Sequence, residues 1–572
     1  MFRCPACMTL ILILTTVASG SIVVVDDDGT GNFTKIQDAI NASEIGDEIV
    51  VKNGTYPENV LVDRSIILKG ENGTVVNGSG ISSPLIRITA DDVVLEGFTV
   101  TGCIDENPRS GAILVKSDGC KILNNTIYSS LGYGLSLVNT ENDLVSGNIA
   151  YDNEFCGICL FGSNFSQLLG NEAFGNRKCG LTLLGCSYVV LTGNQLYDNG
   201  EVGINVVNST TAELRLNEIN LNGEDGIFLM NSTNNALINN EIHENNHNGI
   251  NLYQSTANTV IGNKVQGSGE EGILIVKRAD DNLISNNLIS ENGINGVGIY
   301  GSYSSTIINN GVYFNRDNGI YSRDYSGGTM VANNEVYGNF RYGIGLEDSS
   351  SNFIKGNHVH DNLNGIIMVR CENFHVTFNE IYRNYFGLCL ESVSSFVVSE
   401  NEICNNTNNG FEMKSCDESR IWENDICENG NDGVHISESL HTVIFGNTIM
   451  NNSDYGVQVL DQSTLNTFMY NNVQNNLGGG FYFYEGDINL ITGNTIAENQ
   501  RFNVRDNMME NQWLGNFYGD YSGSDLNGDS FGDEPYAVYG RRGAISFDPR
   551  PIISMATLEE MSPTELEGTS WV

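Results

Sequence analysis

A glycine followed by an apolar-x-apolar triplet returns at Gly111, Gly134, Gly157, Gly180, Gly203, Gly226, Gly249, Gly272, Gly296, Gly319, Gly343, Gly365, Gly387, Gly410, Gly433, Gly456 and Gly480. The step is 23 residues, slipping by one at a few places. A fixed period in this range belongs to a solenoid, whose repeats bury their apolar faces only against their neighbours. The residue after each glycine is aliphatic (Leu181, Ile204, Ile227, Ile250, Ile273), and so is the residue two further on (Leu183, Val206, Leu229, Leu252, Ile275). The positions between them follow no type: Thr182, Asn205, Phe228 and Asn251. A period of two makes this a strand with one face inward. Two more apolar pieces, around Leu191, Leu214 and Leu237 and around Leu196, Ile219 and Ile242, complete three short strands per coil.

Asparagine marks two corner registers, Asn148, Asn171, Asn194, Asn217, Asn240 and Asn263 in one and Asn153, Asn176, Asn199, Asn222 and Asn245 in the other. Asparagine is expected to supply both the left-handed backbone of a tight corner and an amide that bonds to the amides above and below. Glycine supplies the backbone freedom alone. A leucine-rich repeat shares the period but needs a helical return segment, which a repeat so rich in Gly, Asn, Ser and Thr does not favour. The expected fold is all-β: a right-handed parallel β-helix with a cap at each end.

The boundaries follow. Residues 1–20, with an apolar run from Met8 to Ala18 and small residues at its end, read as a secretory signal too short to span a bilayer. Residues 21–60 are an N-terminal cap, with an amphipathic helix from about Thr34 to Ala42, and the first coil. Repeats occupy 61–500, a C-terminal cap 501–553 and a tail 554–572. No later stretch is long and apolar enough for a transmembrane span; the secretory signal leads to the expectation of a protein outside the cell or at its surface, or in the periplasm of a host with an outer membrane. Asn-x-Ser/Thr sequons from Asn32 to Asn451 are potential glycan acceptors. With 28 Lys+Arg against 70 Asp+Glu, a formal net charge of −42 repels phosphate and makes nucleic acid an unsuitable partner. Among 13 cysteines, Cys156 and Cys179 share a register one coil apart, as do Cys404 and Cys427. Adjacent strands lie about 4.8 Å apart, within the reach of a disulfide; free thiols are the alternative.

The N-terminal phrase "DDDGTGNFTKIQDAINASEIGDEIVVKNGTYPENV" and the closing "GNFYGDYSGSDLNGDSFGDEPYAVYG" with "FDPRPII" resemble the two caps of NosD-like β-helix proteins. That group overlaps the carbohydrate-binding and sugar-hydrolase (CASH) domain within the pectin-lyase-like superfold. The resemblance implies a secreted or surface β-helix and, through the family label, a relation to copper. Copper wants clustered soft donors, for which the sequence offers the near pairs His243/His247 and His358/His360 and scattered methionines.

Three constellations could carry chemistry. In Asp525-Leu-Asn527-Gly-Asp529-Ser-Phe531-Gly-Asp533, oxygen ligands alternate around a glycine bend, as Ca²⁺ requires. The twelfth residue is Tyr536 rather than the Glu of an EF-hand, so an Asx-rich turn is the other reading. Second, counting from each repeat glycine, Arg323, Asp324, Glu347, Asp348, Arg370 and Glu391 fall on one flank of the middle coils, with Tyr321 and Tyr342 nearby. On this fold, lyases and C5-epimerases pair a base for the C5 proton with a cation for the uronate; a solvated flank of a solenoid carries similar charges. Third, an aromatic register about seventeen residues after the glycine holds Tyr337, His360 and Tyr382, either a platform for pyranose rings or a column that stabilises the sheet. The paired-Asp phrases of polygalacturonases and the Asp-Pro-His-Asp of alginate epimerases are missing. The leading reading is a secreted or surface protein that binds carbohydrate or supports the envelope. The alternative is a polysaccharide lyase or C5-epimerase acting on an acidic glycan in the middle groove.

Overall fold

The computed structural model describes residues 20–79, 84–104, 109–541, 543 and 545–555. The expected signal at 1–20 and tail at 554–572 fall almost wholly outside them. The chain divides into two compact units, one ending at Glu172 and the other beginning at Ala173. Each is a parallel β-helix with three strands per coil.

The first unit opens with the strand Ile22–Val25, paired in parallel with Glu48–Val51. Helix α1 (Ile36–Ala42) starts two residues later than expected and buries Ile36, Ala39 and Ile40. Lys35 at its N-cap gives no side-chain hydrogen bond. The orphan N–H groups of Ile36 and Gln37 donate instead to the Glu58 carboxylate, at 2.9 and 3.1 Å. An anion at this end also suits the helix dipole.

In the second unit the inward register is the expected one. Ile227 pairs with Ile250 and Leu229 with Leu252, and Ile250 with Ile273, so that aliphatic side chains stack on their own kind at zero exposure. Each such side chain contributes about 1.5–3 kcal/mol by leaving water. We call the strands that follow the repeat glycines, such as Ile250–Tyr253, the glycine sheet. Those such as Ala236–Ile238 form the middle sheet and those such as Glu241–His243 the third sheet.

The corners divide the work differently from the sequence expectation. Asn194, Asn217, Asn240 and Asn263 form a buried amide ladder: each Nδ2 donates to the Oδ1 one coil on, at 2.8, 2.9 and 2.9 Å. The Asn217 Nδ2 also donates to the Leu191 carbonyl at 3.1 Å, and its N–H to the Asn240 Oδ1 at 3.0 Å. The left-handed backbone belongs to the residue before each rung: Gly193, Leu216, Asn239 and Gly262, at φ 65°, 54°, 52° and 69°. The rung needs an amide and the corner needs only φ > 0, so two adjacent residues share the two roles. A third ladder, through Asn235 and Asn258, runs along another corner. The repeat glycines are also not left-handed. A Cβ at Gly226 would lie 2.6 Å from the Ile242 side chain and 2.7 Å from the Gly249 carbonyl, so space selects glycine there.

The amide columns end on aspartates. Asn494 donates to Asn516 and Asn516 to the Asp548 Oδ2, at 2.9 and 3.1 Å. Asn489 donates to Asn511 and Asn511 to the Asp506 Oδ1, both at 3.1 Å. The third column passes from Asn499 to Asn503 and on to the Asp520 Oδ1, at 3.2 and 2.7 Å. A last rung has nothing further to donate to, and an ionised carboxylate is acceptor only. Asp548 also takes the N–H groups of Gly515 and Asn516 and the Tyr518 hydroxyl. Strands Tyr536–Tyr539 and Ile545–Asp548 close the cap as an antiparallel pair. Cys404 and Cys427, on neighbouring third-sheet strands, form a disulfide.

Candidate functional site

Of the groove residues, Tyr321, Glu347, Asp348 and Arg370 come together on the glycine-sheet side of the coils. Tyr321 donates its hydroxyl to Glu347 Oε2 at 2.5 Å, and Arg370 bonds to Glu347 while gripping Asp348 at 2.8 and 3.0 Å. The Tyr321 hydroxyl and the Arg370 guanidinium hold the Glu347 carboxyl below its ordinary range. Arg323 stands apart, 4.7 Å over the Tyr300 ring and 3.7 Å from Asp324. Tyr342 lies under the Arg341 guanidinium, and Glu391 has Lys414 at 3.9 Å. Arg370 is thus occupied by two carboxylates, and Glu347 by a phenol and a guanidinium. These groups are arranged to neutralise one another.

Tyr337, His360 and Tyr382 lie on the third sheet, away from that network. They stack face to face with centroids 5.0 and 4.8 Å apart, Tyr313 continuing the column. Stacked rings cover one another's faces, which leaves edges for a sugar to meet. Arg383 lies over Tyr382 and pairs with Asp361 at 2.7 Å.

Sequence reasoning missed a row further along. Glu412, His435, Gln458, Tyr482 and Arg505 stand on successive glycine-sheet strands, each opposite the next. His435 Nδ1 lies 2.9 Å from Oδ2 of the buried Asp432, whose Oδ1 accepts the Tyr455 N–H at 3.1 Å. Burial pushes the His435 pKa down, but the Asp432 carboxylate outweighs it and leaves the imidazole above its ordinary value. The signal lay in the spacing of Asp432 and His435, which reach the same face because one precedes the repeat glycine and the other follows it.

Beyond His435 the face becomes aromatic. Tyr455 and Tyr482 lie 4.9 Å apart, with Phe502 5.9 Å from Tyr455. This shelf leads to a cleft of about 490 Å³ between the last coil and the cap, lined by Arg501, Phe502, Arg505, Asp520, Tyr521 and Tyr536 among others. Asp520 is held by the Asn503 amide at 2.7 Å and the Tyr536 hydroxyl at 3.1 Å, which fixes Tyr536 against Tyr518, 3.7 Å away. The Arg505 guanidinium lies 5.3 Å from the Phe502 centroid and makes no ion pair among the described residues. Arg501 has Asp454 at 4.0 Å.

The loop of Asp525, Asn527, Asp529, Phe531 and Asp533 is built from Asx turns. Asp525 Oδ1 accepts the Gly528 N–H at 2.6 Å and Oδ2 the Ser530 N–H at 2.9 Å. Asn527 accepts from Asp529, Asp529 from Phe531, and Asp533 from Leu526. Arg550 covers the Phe531 ring at 4.0 Å and approaches Asp529 at 3.6 Å. Among the described residues, no three His, Cys, Asp or Glu side chains converge where a metal ion would sit, and no helix is long and apolar enough to cross a membrane.

Residues 40–225 and 336–523 match the family described as periplasmic copper-binding protein (NosD). Residues 170–289 and 274–387 match the right-handed β-helix region. A cell surface glycoprotein of Methanothermus fervidus is 33% identical over 129 residues, 22% of this chain and 21% of that protein, so the match spans about a fifth of that relative. Among solved structures, the A-module of the Azotobacter vinelandii mannuronan C-5 epimerase AlgE6 is 16% identical with a TM-score of 0.36, over 60% of this chain and 93% of that one. A rhamnogalacturonan lyase is 16% identical with a TM-score of 0.37, over 47% and 87%.

Proposed function

The chain belongs to the NosD family, and from that premise we propose that it is a surface β-helix protein that binds a glycan in the cleft beside its last coil. One observation carries this reading: in a chain of net charge −42, Arg501 and Arg505 meet Phe502, Tyr521 and Tyr536 in one cleft. Aromatic walls take the C–H face of a pyranose, and planar guanidinium and carboxylate groups bond to vicinal hydroxyls in pairs. The aromatic shelf of Tyr455 and Tyr482 extends the contact along the coils. The resemblance of one stretch to a cell surface glycoprotein supports a place at or outside the cell envelope.

Copper, which the family description carries, does not fit the donors here. Soft-metal sites need converging His, Cys or Met, and no group of three His, Cys, Asp or Glu side chains gathers among the described residues. A lyase or epimerase in the middle groove has less support than binding, because Arg370 is taken by Glu347 and Asp348.

The test is a glycan array on the purified protein, followed by calorimetry of the best hit against Arg505→Gln and Phe502→Ala. Both variants should lose at least tenfold in affinity with little change in melting temperature. Undiminished binding by both would move the site elsewhere, and an array without hits would end the reading.

A further inference from the structure

The slips in the 23-residue step have a structural consequence. Three coils carry one extra residue: Gly272 to Gly296, Gly319 to Gly343 and Gly456 to Gly480 each span 24 (for the first, 296 − 272 = 24). In each, the corner after the glycine-sheet strand holds two successive left-handed residues: Lys277 and Arg278 at φ 62° and 60°, Asp324 and Tyr325 at 61° and 61°, Asp461 and Gln462 at 46° and 57°. In the regular coils that corner has one such residue, for example Asn231 at 49° or Gln254 at 50°. Non-glycine residues enter this region at a cost, so a doubled corner is a built feature.

The first two doubled corners lie two coils apart, with the narrow corner at Gly301 between them. The gap is a hollow of about 470 Å³ lined by Lys277, Arg278, Tyr300, Gly301 and Asp324, with Gln254 and Val276 at its edge. The backbone of the rim is anchored, since Lys277 and Arg278 donate their N–H groups to the carbonyls of Tyr300 and Gly301 at 3.1 and 2.8 Å. Of its side chains, Tyr300 is engaged, its hydroxyl donating to Glu271 and accepting from Asn295 at 2.8 Å each, whereas the two corner cations are not. Elsewhere in the second unit cations sit on carboxylates one coil away, as in Lys264–Glu241 and Arg383–Asp361, both 2.7 Å. Lys277 and Arg278, adjacent in a chain with 70 acidic residues, form no ion pair among the described residues. Arg323 adds a third cation, over the Tyr300 ring at 4.7 Å with Asp324 at 3.7 Å beside it. The Asp280 carboxylate near the rim accepts the Tyr303 N–H at 2.7 Å and so faces the backbone.

We propose that this hollow is a second glycan site, distinct from the cleft, which takes an anionic substituent of a sugar chain, a carboxylate or a sulfate ester. The proposal rests on the glycan-binding reading and deepens it, since it makes the glycan acidic. The guanidinium and ammonium groups at the rim bind the anion, and the strongly negative field of the rest of the chain confines an acidic polymer to this position. Binding here weakens as salt rises, because the rim is exposed and screened.

The test uses Lys277→Asn with Arg278→Asn in the full chain, since asparagine tolerates the left-handed corner while removing both charges. Calorimetry with oligogalacturonate, its methyl ester and dextran sulfate separates carboxylate, neutral and sulfate recognition. The wild type should bind at least one charged probe more tightly than the methyl ester. The double variant should bind that probe at least tenfold more weakly, while Arg505→Gln retains the charge-dependent difference. Equal binding of charged probes by wild type and double variant overturns the hollow, and so does the failure of both charged probes to bind. If only Arg505→Gln abolishes the charged component, the anion belongs to the cleft; the hollow then falls and the glycan reading stands.

Discussion

The regular coils between Gly203 and Gly272 and the C-terminal cap, residues 501–553, are both rich in Asn and Asp, yet they use them in opposite ways. In the coils each inner rung of an amide ladder must donate to one coil and accept from another, which an amide does and a carboxylate cannot. Asn217 gives to Asn240 and to the Leu191 carbonyl and receives from Asn194. In the cap the aspartates only receive. Asp548 ends one ladder and Asp506 another, and Asp525 gathers backbone N–H groups within its own loop. The difference shows that Asn propagates a column and Asp terminates it, so the choice between two near-isosteric residues marks where the solenoid stops.

The largest effect tests the frame that both regions share. Ile250→Asp puts an unpaired carboxylate between Ile227 and Ile273 at a position of zero exposure, and should cost several kcal/mol, on the order of 4 or more. Phe228→Asn, on the outward face where neighbouring coils already carry Asn205 and Asn251, should cost roughly 1 kcal/mol, that of a partly exposed ring. Equal losses of thermal stability from the two would break the register. Asn251→Asp is a poor control, because Asn251 Nδ2 donates to the Asp225 carboxylate at 3.0 Å.

Next come the two isosteric exchanges. Asn217→Asp removes the donor to Leu191 and Asn240, and Asp548→Asn gives up one of two accepting oxygens among the donors of Gly515, Asn516 and Tyr518. Each should destabilise by about 2–3 kcal/mol, the cost of a buried group left unpaired. Chemical denaturation that found either exchange neutral would remove the distinction between propagating and terminating rungs.

A smaller effect is expected in the cap loop. Asp525→Ala removes the acceptor of three backbone N–H groups and should loosen the cap by about 1–2 kcal/mol, seen as faster proteolysis near residue 525. If the loop acts through these turns, the loss is the same with EDTA and with Ca²⁺. Protection of the wild type by Ca²⁺ that is absent in the variant would instead establish the metal site. The smallest effect is a gain. Leu216→Gly relieves a left-handed, exposed leucine at φ 54° and should be neutral or stabilise by up to ~1 kcal/mol. A clear loss of melting temperature would mean that Leu216 does more than turn the corner.

Much of the fold was legible because it is periodic. The Ile250 and Leu252 positions, the ladders through Asn217 and Asn222 and the nearness of Cys404 to Cys427 all follow from counting at a fixed step. The site was legible only in part. Counting placed Arg323, Glu347 and Arg370 on one flank, but it could not say that Arg370 would close on Glu347 and Asp348. It also set Tyr337, His360 and Tyr382 in one register, but left open whether the rings would stack on one another, as they do, or stand open to a sugar. Asp432 and His435 were passed over because their meeting depends on which way two side chains point across the repeat glycine.

The sequence by itself determined the coil and its inward face, because the period and the alternation of apolar residues admit one way of burying them. The tertiary structure alone decided which charges remain uncommitted. Pairing depends on side-chain rotamers and on neighbours one coil away, and composition sees only the total. A one-residue slip that looks like noise in the repeat becomes, once folded, a doubled corner that holds Lys277 and Arg278 beside a hollow. The last coil and the cap, remote from that corner in sequence, bring Arg505, Phe502 and Tyr536 around one cleft.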